Sequence, residues 1–289
     1  AQGYSFLNLN DCKIYDSLPA ITREEGPIDV FTCQFSGASW HPTSYDYSRK
    51  DYEAIARKKM FSKFMTVARS IETVGPRVFI PSAGPPCFLD PQLFHLNFEP
   101  VNIFPRASSF VSFLKKTLRK RDVGLPELMP GDVLDVATGA VSYLAKERVD
   151  EENYDAYLHA YASDYKAFFA ERRSQSQKQD ADLLLNRLGA EFKKKLSFMT
   201  LNDRIRTRLF VRLSELPDKM LSVDFPSKSV EYASHLPETE FYSITIPSWE
   251  LARALDGAIT WDDLFLTLRV RFNRAPDIYQ TVIHGFMSM

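Results

Sequence analysis

Residues 28–35, IDVFTCQF, form a near-continuous apolar run. No other feature constrains the chain as much, because a strand with no polar side has to be covered on both faces. The run follows the turn Glu24-Glu25-Gly26-Pro27 and stops at Ser36-Gly37-Ala38-Ser39. From 51 to 74, Ala56, Met60, Phe64, Val67, Ala68 and Ile71 recur at steps of three and four with Lys and Arg on the other side, which predicts an amphipathic helix. Gly75-Pro76 closes it, Val78-Phe79-Ile80 reads as a short buried strand, and 81–86 reads as a loop stiffened by proline. Ahead of these, 4–15 (YSFLNLNDCKIY) predicts a strand ending in the polar corner Asn10-Asp11-Cys12, or a hairpin. Strand, strand, helix and strand in that order define an α/β arrangement with short connections at one edge of a sheet.

Further along, 107–121 predicts a helix whose basic end, Lys115, Lys116, Arg119, Lys120 and Arg121, is either a solvated terminus favoured by the helix dipole or a phosphate-contacting patch. Pro126 and Pro130-Gly131 mark a boundary. Two helices are expected next, over 151–172 and 181–201. In the first, Tyr154, Tyr157, Leu158, Tyr161, Tyr165, Phe168 and Phe169 fall on one stripe, expected to be core. The polar run 174–179 reads as the connector between them. The β-rich runs 209–213, 220–225, 230–233 and 241–246, separated by proline-containing turns, suggest a meander. Ser248 is expected to cap a helix that Gly257 ends, and Thr260 to open another with Asp263 at its acidic third position. The expected domains are therefore 1–130, a helical connector 131–202, and an α+β extension 203–289.

Composition excludes several classes. With 36 basic and 37 acidic residues, charge gives no reason to expect nucleic acid, and no apolar run approaches the roughly 20 residues that cross a bilayer. Cys12, Cys33 and Cys87 are an odd number with no CxxC pair, which argues against a disulfide framework and for a reduced, cytoplasmic setting. There is no GxSxG elbow, phosphate loop, dinucleotide fingerprint or HExxH. The five histidines, at 41, 95, 159, 235 and 284, are scattered, so local sequence defines no metal site. The chain opens Ala1-Gln2-Gly3-Tyr4 without an initiator Met or a signal region, and the expectation is that a segment precedes it.

Three strand-end corners remain as candidates to line one cleft: 10–12, 34–42 and 81–86. Asp11 is the candidate metal ligand, since a carboxylate at a strand end can hold a cation; the alternative is a turn aspartate bonding its own backbone. Gln34, Ser36, Trp40 and His41 are the candidate substrate-contacting residues. Ser36 and His41 also have the chemistry of a nucleophile and its base, although Ser-Gly is equally ordinary in a turn.

Taken together, LNLNDCKI, IDVFTCQFSGASWHP and PRVFIPSAGPP around a helix resemble the second half of a metallo-β-lactamase-like αββα sandwich, followed by helices and the α+β extension. The nearest subgroup is the Rieske-linked nucleotide-sugar hydroxylases, which include CMP-N-acetylneuraminate and UDP-N-acetylmuramate hydroxylases; the stretch 254–283 also looks like the tail of such proteins. The resemblance implies that Asp11 is a metal ligand. Where the family carries a last histidine ligand in Pro-x-His, this sequence has Pro81-Ser82-Ala83, and alanine cannot ligate. The HxHxDH cluster and the Cys/His pairs of a Rieske centre are absent from the sequence. The implied cofactor is iron or zinc with most ligands elsewhere, with a Rieske iron–sulfur cluster on a segment not present. The implied partners are a small-molecule substrate and an electron-donor protein, with neither nucleic acid nor membrane. Three functions follow: an iron-dependent oxygenase (hydroxylase) acting on a nucleotide sugar or similar polar molecule, a metal-dependent hydrolase of the lactonase or amidase kind, or a non-catalytic binding or scaffold domain.

Overall fold

The computed structural model describes residues 3–119, 122–144, 146, 148–176, 179–200 and 202–289. Lys120 and Arg121 of the predicted basic end, Gln177 and Lys178 of the predicted connector, and Leu201 at the end of the predicted helix 181–201 lie outside the described residues. The chain divides into two compact units, residues 1–38 with 49–165, and residues 39–48 with 166–289. The division at 165/166 lies inside the stretch expected as a helical connector.

Unit 1 contains β1 (Phe6–Asn8), α1 (Leu18–Glu25), β2 (Val30–Gln34), α2 (Arg49–Val74), β3 (Val78–Ser82), α3 (Ala107–Thr117), the short ribbon β4 (Val133–Leu134) with β5 (Val141–Ser142), and α4 (Tyr154–Asp164). Among the described residues β1, β2 and β3 form one sheet in that order, and both pairings are parallel, with Phe31 opposite Leu7 and Phe79. Parallel pairing selects the strand with a polar corner over the hairpin for 4–15. Every residue of β2 is buried, as its apolar run requires. Phe31, Cys33 and Phe35 share a core with Phe64, Val67 and Ile71 of α2, Phe79 of β3, and Phe110 and Leu114 of α3. Phe35 and Phe110 stack at 5.1 Å with ring planes 1° apart. Burying one such ring contributes about 2–3 kcal/mol. The buried positions of α2 include Ala56, Phe64, Val67, Ala68 and Ile71, the stripe read from the sequence.

Unit 2 contains α5 (Lys166–Ser176), α6 (Ala181–Phe198), β6 (Arg208–Leu213), β7 (Met220–Asp224), β8 (Ser229–Ala233), β9 (Phe241–Ile246), α7 (Ser248–Leu255), α8 (Trp261–Leu266), β10 (Arg271–Ala275) and α9 (Thr281–Ser288). Its sheet has the order β10-β9-β6-β7-β8. The expected meander holds for β6 to β8, which pair antiparallel. β9 then crosses back and joins β6 in parallel, with β10 antiparallel beyond it. The two strands with the most continuous burial, β6 and β9, thereby lie side by side in the middle of the sheet. One face, from Leu209, Val211, Leu221, Val223, Tyr242 and Ile244, packs on Leu185, Leu188 and Phe192 of α6 and on Phe265 and Phe286. On the other face Phe210, Met220 and Phe241 form a smaller cluster with Leu236.

The helix starts are partly as expected. Thr260 and Asp263 form a reciprocal capping box, and Gly257 takes φ +71° just past α7. Ser248 is the first residue of α7 rather than its cap, which is Pro247; its amide and hydroxyl instead donate to Glu215 at 3.0 and 2.9 Å. The single helix expected over 151–172 is two helices, α4 and α5, interrupted at Tyr165 where unit 1 ends. Its aromatic stripe is not core. Tyr157, Tyr161, Tyr165 and Phe168 are 37–45% exposed, and Leu158 is the buried residue of α4. Helical spacing shows which side chains share a face, not what covers it, and tyrosine tolerates exposure because its hydroxyl stays in water.

Residues 39–48 leave unit 1 after β2 and build into unit 2. Tyr45 bridges Phe272 in parallel, with backbone bonds from Asp46 N to Phe272 O (2.9 Å) and from Phe272 N to Ser44 O (2.8 Å). Arg271 clamps the segment by donating to Thr43 O, Tyr45 O and Asp46 Oδ1, each at 2.8 Å. No helix among the described residues is long and apolar enough to cross a membrane.

Candidate functional site

Three parallel strands present their carboxyl ends at one edge, and in such sheets the crevice outside those ends is where ligands bind. In unit 1 that edge carries Asn10, Thr32, Gln34, Ser36 and Ser82. Thr32 Oγ1 donates to Ser82 Oγ at 2.5 Å, and Ser82 Oγ donates to Asn10 Oδ1, so hydroxyls from β2 and β3 and the amide after β1 form one chain. Gln34 is 9% exposed and Ser36 1%. The Ser36 hydroxyl has no hydrogen-bond partner. It is closely hemmed in: a Cβ on Gly84 would lie 2.2 Å from Ser36 Cβ, and one on Gly37 would lie 2.5 Å from Ile103 O, so both positions require glycine.

Asp11, the predicted metal ligand, is exposed, as is Ala83, at φ +52°. Among the described residues, which include every Cys and His of the chain, no group of three or more His, Cys, Asp or Glu is placed to hold a metal ion. The cysteines are free, Cys12 and Cys87 exposed and Cys33 buried. Burial pushes the Cys33 thiol pKa up, which keeps it protonated and poorly suited to ligate. The residues present therefore do not fit a Rieske cluster, which takes two Cys and two His.

Trp40 and His41 belong to unit 2, where they join a buried polar network that connects residues far apart in sequence. Tyr45 Oη and Tyr242 Oη are 2.8 Å apart, and Tyr242 Oη is 2.7 Å from His284 Nε2. The direction of these bonds follows from Arg274, whose guanidinium only donates. Its Nη1 reaches Tyr45 Oη at 3.4 Å, and the Trp40 side chain also hydrogen-bonds Tyr45. Tyr45 therefore passes its proton toward Tyr242, and Tyr242 donates to His284 Nε2. The ring proton of His284 is left on Nδ1, which is buried without a partner, at a cost of about 1–3 kcal/mol. Burial, reinforced by the Arg274 charge, lowers the His284 pKa to about 4, so the imidazole is neutral at pH 7. Burial also raises the pKa of Tyr242 and Tyr45.

Toward the surface, Tyr47 donates to Asp277 Oδ1 at 2.9 Å, so the Tyr47 oxygen accepts from His41 Nε2 at 3.0 Å. Burial first, then the Asp277 bond, raises Tyr47 to about 12. Arg274 pairs with Asp277 at 2.7 Å, holding that carboxyl below its usual range against the opposing effect of burial. The candidate pair Ser36 and His41 thus has one unpartnered hydroxyl in unit 1 and one imidazole nitrogen engaged by Tyr47 in unit 2. Sequence reasoning missed Tyr45, Tyr47, Tyr242, Arg274, Asp277 and His284. A lone polar residue inside the apolar run of α9 was the one available signal, at His284.

No protein-family model matches the chain. It is similar to a Mycolicibacterium smegmatis protein named "Putative Rieske 2Fe-2S iron-sulfur protein", with 30% identity over 281 residues, 92% of this chain and 52% of that one. It is also similar to a Mycobacterium tuberculosis protein of the same name, with 34% identity over 169 residues, 57% of this chain and 32% of that one. The chain thus spans about half, or less, of the length of the curated relatives it matches. Among solved structures, sterol carrier protein-2 like-3 from Aedes aegypti aligns with 37% of this chain and 96% of its own at 16% identity, with a TM-score of 0.28; a likeness that weak carries no argument.

Proposed function

We propose that this chain is the substrate-handling part of a Rieske-associated, iron-dependent oxygenase of the hydroxylase kind. The observation that carries the reading is the 30% identity, sustained over 281 residues, to a protein named for a Rieske cluster. The cluster's Cys and His ligands come from residues outside this chain, because those within it do not assemble (above). We extend the proposal to the fold of unit 1 as half of a metallo-β-lactamase-like sandwich, supported by a parallel sheet with α2 and α3 packed against one face. Iron or zinc at Asp11 does not fit the residues present; Asp11 keeps a ligand role only toward a metal completed from outside this chain.

The substrate is a small polar molecule, with nucleotide sugars as the class to test first. It binds at the carboxyl edge of β1 to β3, where the free Ser36 hydroxyl, the Gln34 amide and the Thr32–Ser82–Asn10 chain offer donors and acceptors at fixed positions. An electron-donor protein supplies reducing equivalents, and the setting is the cytoplasm. The test is oxygen uptake by the protein purified anaerobically from its native source, with a reductant and a panel of nucleotide sugars. Substrate-dependent oxygen consumption that falls in Gln34→Ala is expected. Turnover that proceeds equally without oxygen would overturn the reading in favour of hydrolysis.

A further inference from the structure

The sheet of unit 2 forces a crossing. β8 lies at one edge and β9 on the far side of β6, so residues 234–240 must pass over β7 and β6. They cross on the face away from α6, where Leu236 packs on Phe210, Met220 and Phe241. A cavity of about 830 Å³ lies there, lined by both the strands and the crossing chain, a size usual for small-molecule sites.

Apart from His235, the charged groups of the lining are Arg206, Arg208 and Lys219 against Asp218, Glu231 and Glu240. They are not equally available. Arg208 is neutralised by Asp224 at 2.7 Å and Lys219 by Asp182 at 2.6 Å, two carboxylates that do not line the cavity. Lys219 also sits over the Tyr232 ring, 4.4 Å from its centre. Arg206, Asp218, Glu231 and Glu240 have no ion-pair partner among the described residues. One positive charge against three negative leaves the cavity acidic, which favours a cationic ligand.

Strand register shows where the excess lies. Arg208 and Phe241, the first residues of β6 and β9, are opposite one another, so Arg206 and Glu240, just ahead of them, bring opposite charges to one end. Met220, the first residue of β7, is opposite Ala233, the last of β8, so Asp218 belongs to the other end. Glu231 stands between, in the row Phe210, Ser222 and Glu231 across β6, β7 and β8. The unopposed carboxylates are therefore Asp218 and Glu231. They do not suit a metal ion, because among the described residues no three His, Cys, Asp or Glu are placed to hold one, and a hard divalent cation takes several oxygens at once. A ligand that meets both carries its positive charges apart on one chain. Phe210, Ala233 and Pro237 of the lining offer that chain apolar contact, and the hydroxyls of Ser222, Ser234 and Thr239 can accept from an ammonium.

We propose that this cavity binds a linear aliphatic polyamine, its ammonium groups on Asp218 and Glu231 and its methylenes along Phe210 and Ala233. The site stands apart from the oxygenase reading and is measured without turnover. The full chain is titrated at pH 8, above the range in which an ordinary histidine takes up a proton, following the side-chain methyl resonances of Ala233 and Thr239. The probes are spermidine, n-butylamine, which carries a single ammonium, and magnesium chloride at matched ionic strength. Saturable shifts with spermidine are expected, with n-butylamine weaker by about fivefold, the worth of one exposed ion pair, and with magnesium unable to displace spermidine. Glu231→Gln and Asp218→Asn, both at exposed positions, should each weaken spermidine by about the same factor. Arg206→Gln, which removes the opposing charge, should tighten it. No saturable shift up to about 10 mM, spermidine no tighter than n-butylamine, displacement by an equal concentration of magnesium, or unchanged affinity in either carboxylate variant would overturn the proposal.

Discussion

Unit 1 and unit 2 both wrap aromatic cores around a sheet, but they put their polar groups in opposite places. In unit 1 the hydroxyls and amides of the candidate site are neutral and lie along or just past the carboxyl-terminal halves of parallel strands, Thr32 and Gln34 in β2, Ser82 in β3 and Asn10 after β1, apart from the apolar core that Phe31, Cys33 and Phe35 share with α2 and α3. Unit 2 buries polar groups inside its core. Glu250 is fully buried between Arg269 at 2.9 Å and Arg253 at 3.0 Å, and His284, Tyr242 and Tyr45 form a hydrogen-bonded line. A βα unit delivers polar loops to one edge by construction, so its interior needs no polar pairing. Unit 2 is assembled from two separated stretches of chain, and its buried bonds fix where 39–48 docks on the rest. A polar core is thus a specificity device with a stability risk, since a partner left unpaired is penalised.

All three tryptophans, Trp40, Trp249 and Trp261, belong to unit 2, so indole fluorescence reports that unit alone. The largest effect is expected for Glu250→Ala, which removes the buried carboxylate that pairs with both Arg269, 11% exposed at its side chain, and Arg253 and costs about 3–5 kcal/mol. The fluorescence midpoint in urea should fall, while hydrogen exchange at Phe31 and Phe79 stays unchanged. Equal losses in both would mean that the units unfold as one.

Acid should act next most strongly, again on unit 2. Because the folded His284 pKa is depressed to about 4 from 6.5, the unfolded chain binds the extra proton between those values. Stability present above pH 6.5 is therefore lost as pH falls toward 4, by about 3 kcal/mol. The difference between the wild type and His284→Gln in pH-dependent urea midpoints isolates it; superimposable curves would contradict it. Tyr242→Phe should cost about 2 kcal/mol, since it strips His284 Nε2 and the Tyr45 hydroxyl of their shared partner, and calorimetry reads it as a lower Tm. The smallest change belongs to unit 1. Ser36→Ala should shift stability by less than about 0.5 kcal/mol, because no hydrogen bond is lost. A loss comparable to that of Tyr242→Phe would erase the contrast between the units.

What was legible in the sequence follows the same divide. β2, α2 and β3 were readable because an apolar run or a helical spacing is local to each, even where what covers it, as Phe110 covers Phe35, is distant in sequence. The Thr260–Asp263 capping box was readable because it is closed within four residues. The parallel pairing of β6 with β9, the docking of 39–48 and the line from Tyr45 to Tyr242 were not, since they join positions as distant as Thr43 and Arg271, 228 residues apart, and leave no local spacing. The break at Tyr165 was hidden by an aromatic stripe that continues across it. For the candidate site, Gln34 and Ser36 were found because strand ends can be read, whereas Tyr47, the partner of His41, is held by Asp277 from the last twenty residues of the chain.

The central claim is that this chain serves Rieske-associated chemistry without holding the cluster itself. Iron and acid-labile sulfide, measured on this chain after anaerobic reconstitution and on the protein from its native source, test it most directly. The native preparation should carry two sulfides and at least two irons per copy, and the chain alone should carry no sulfide. A cluster retained by the chain alone and lost in Cys33→Ser, or a native preparation without iron, would contradict it.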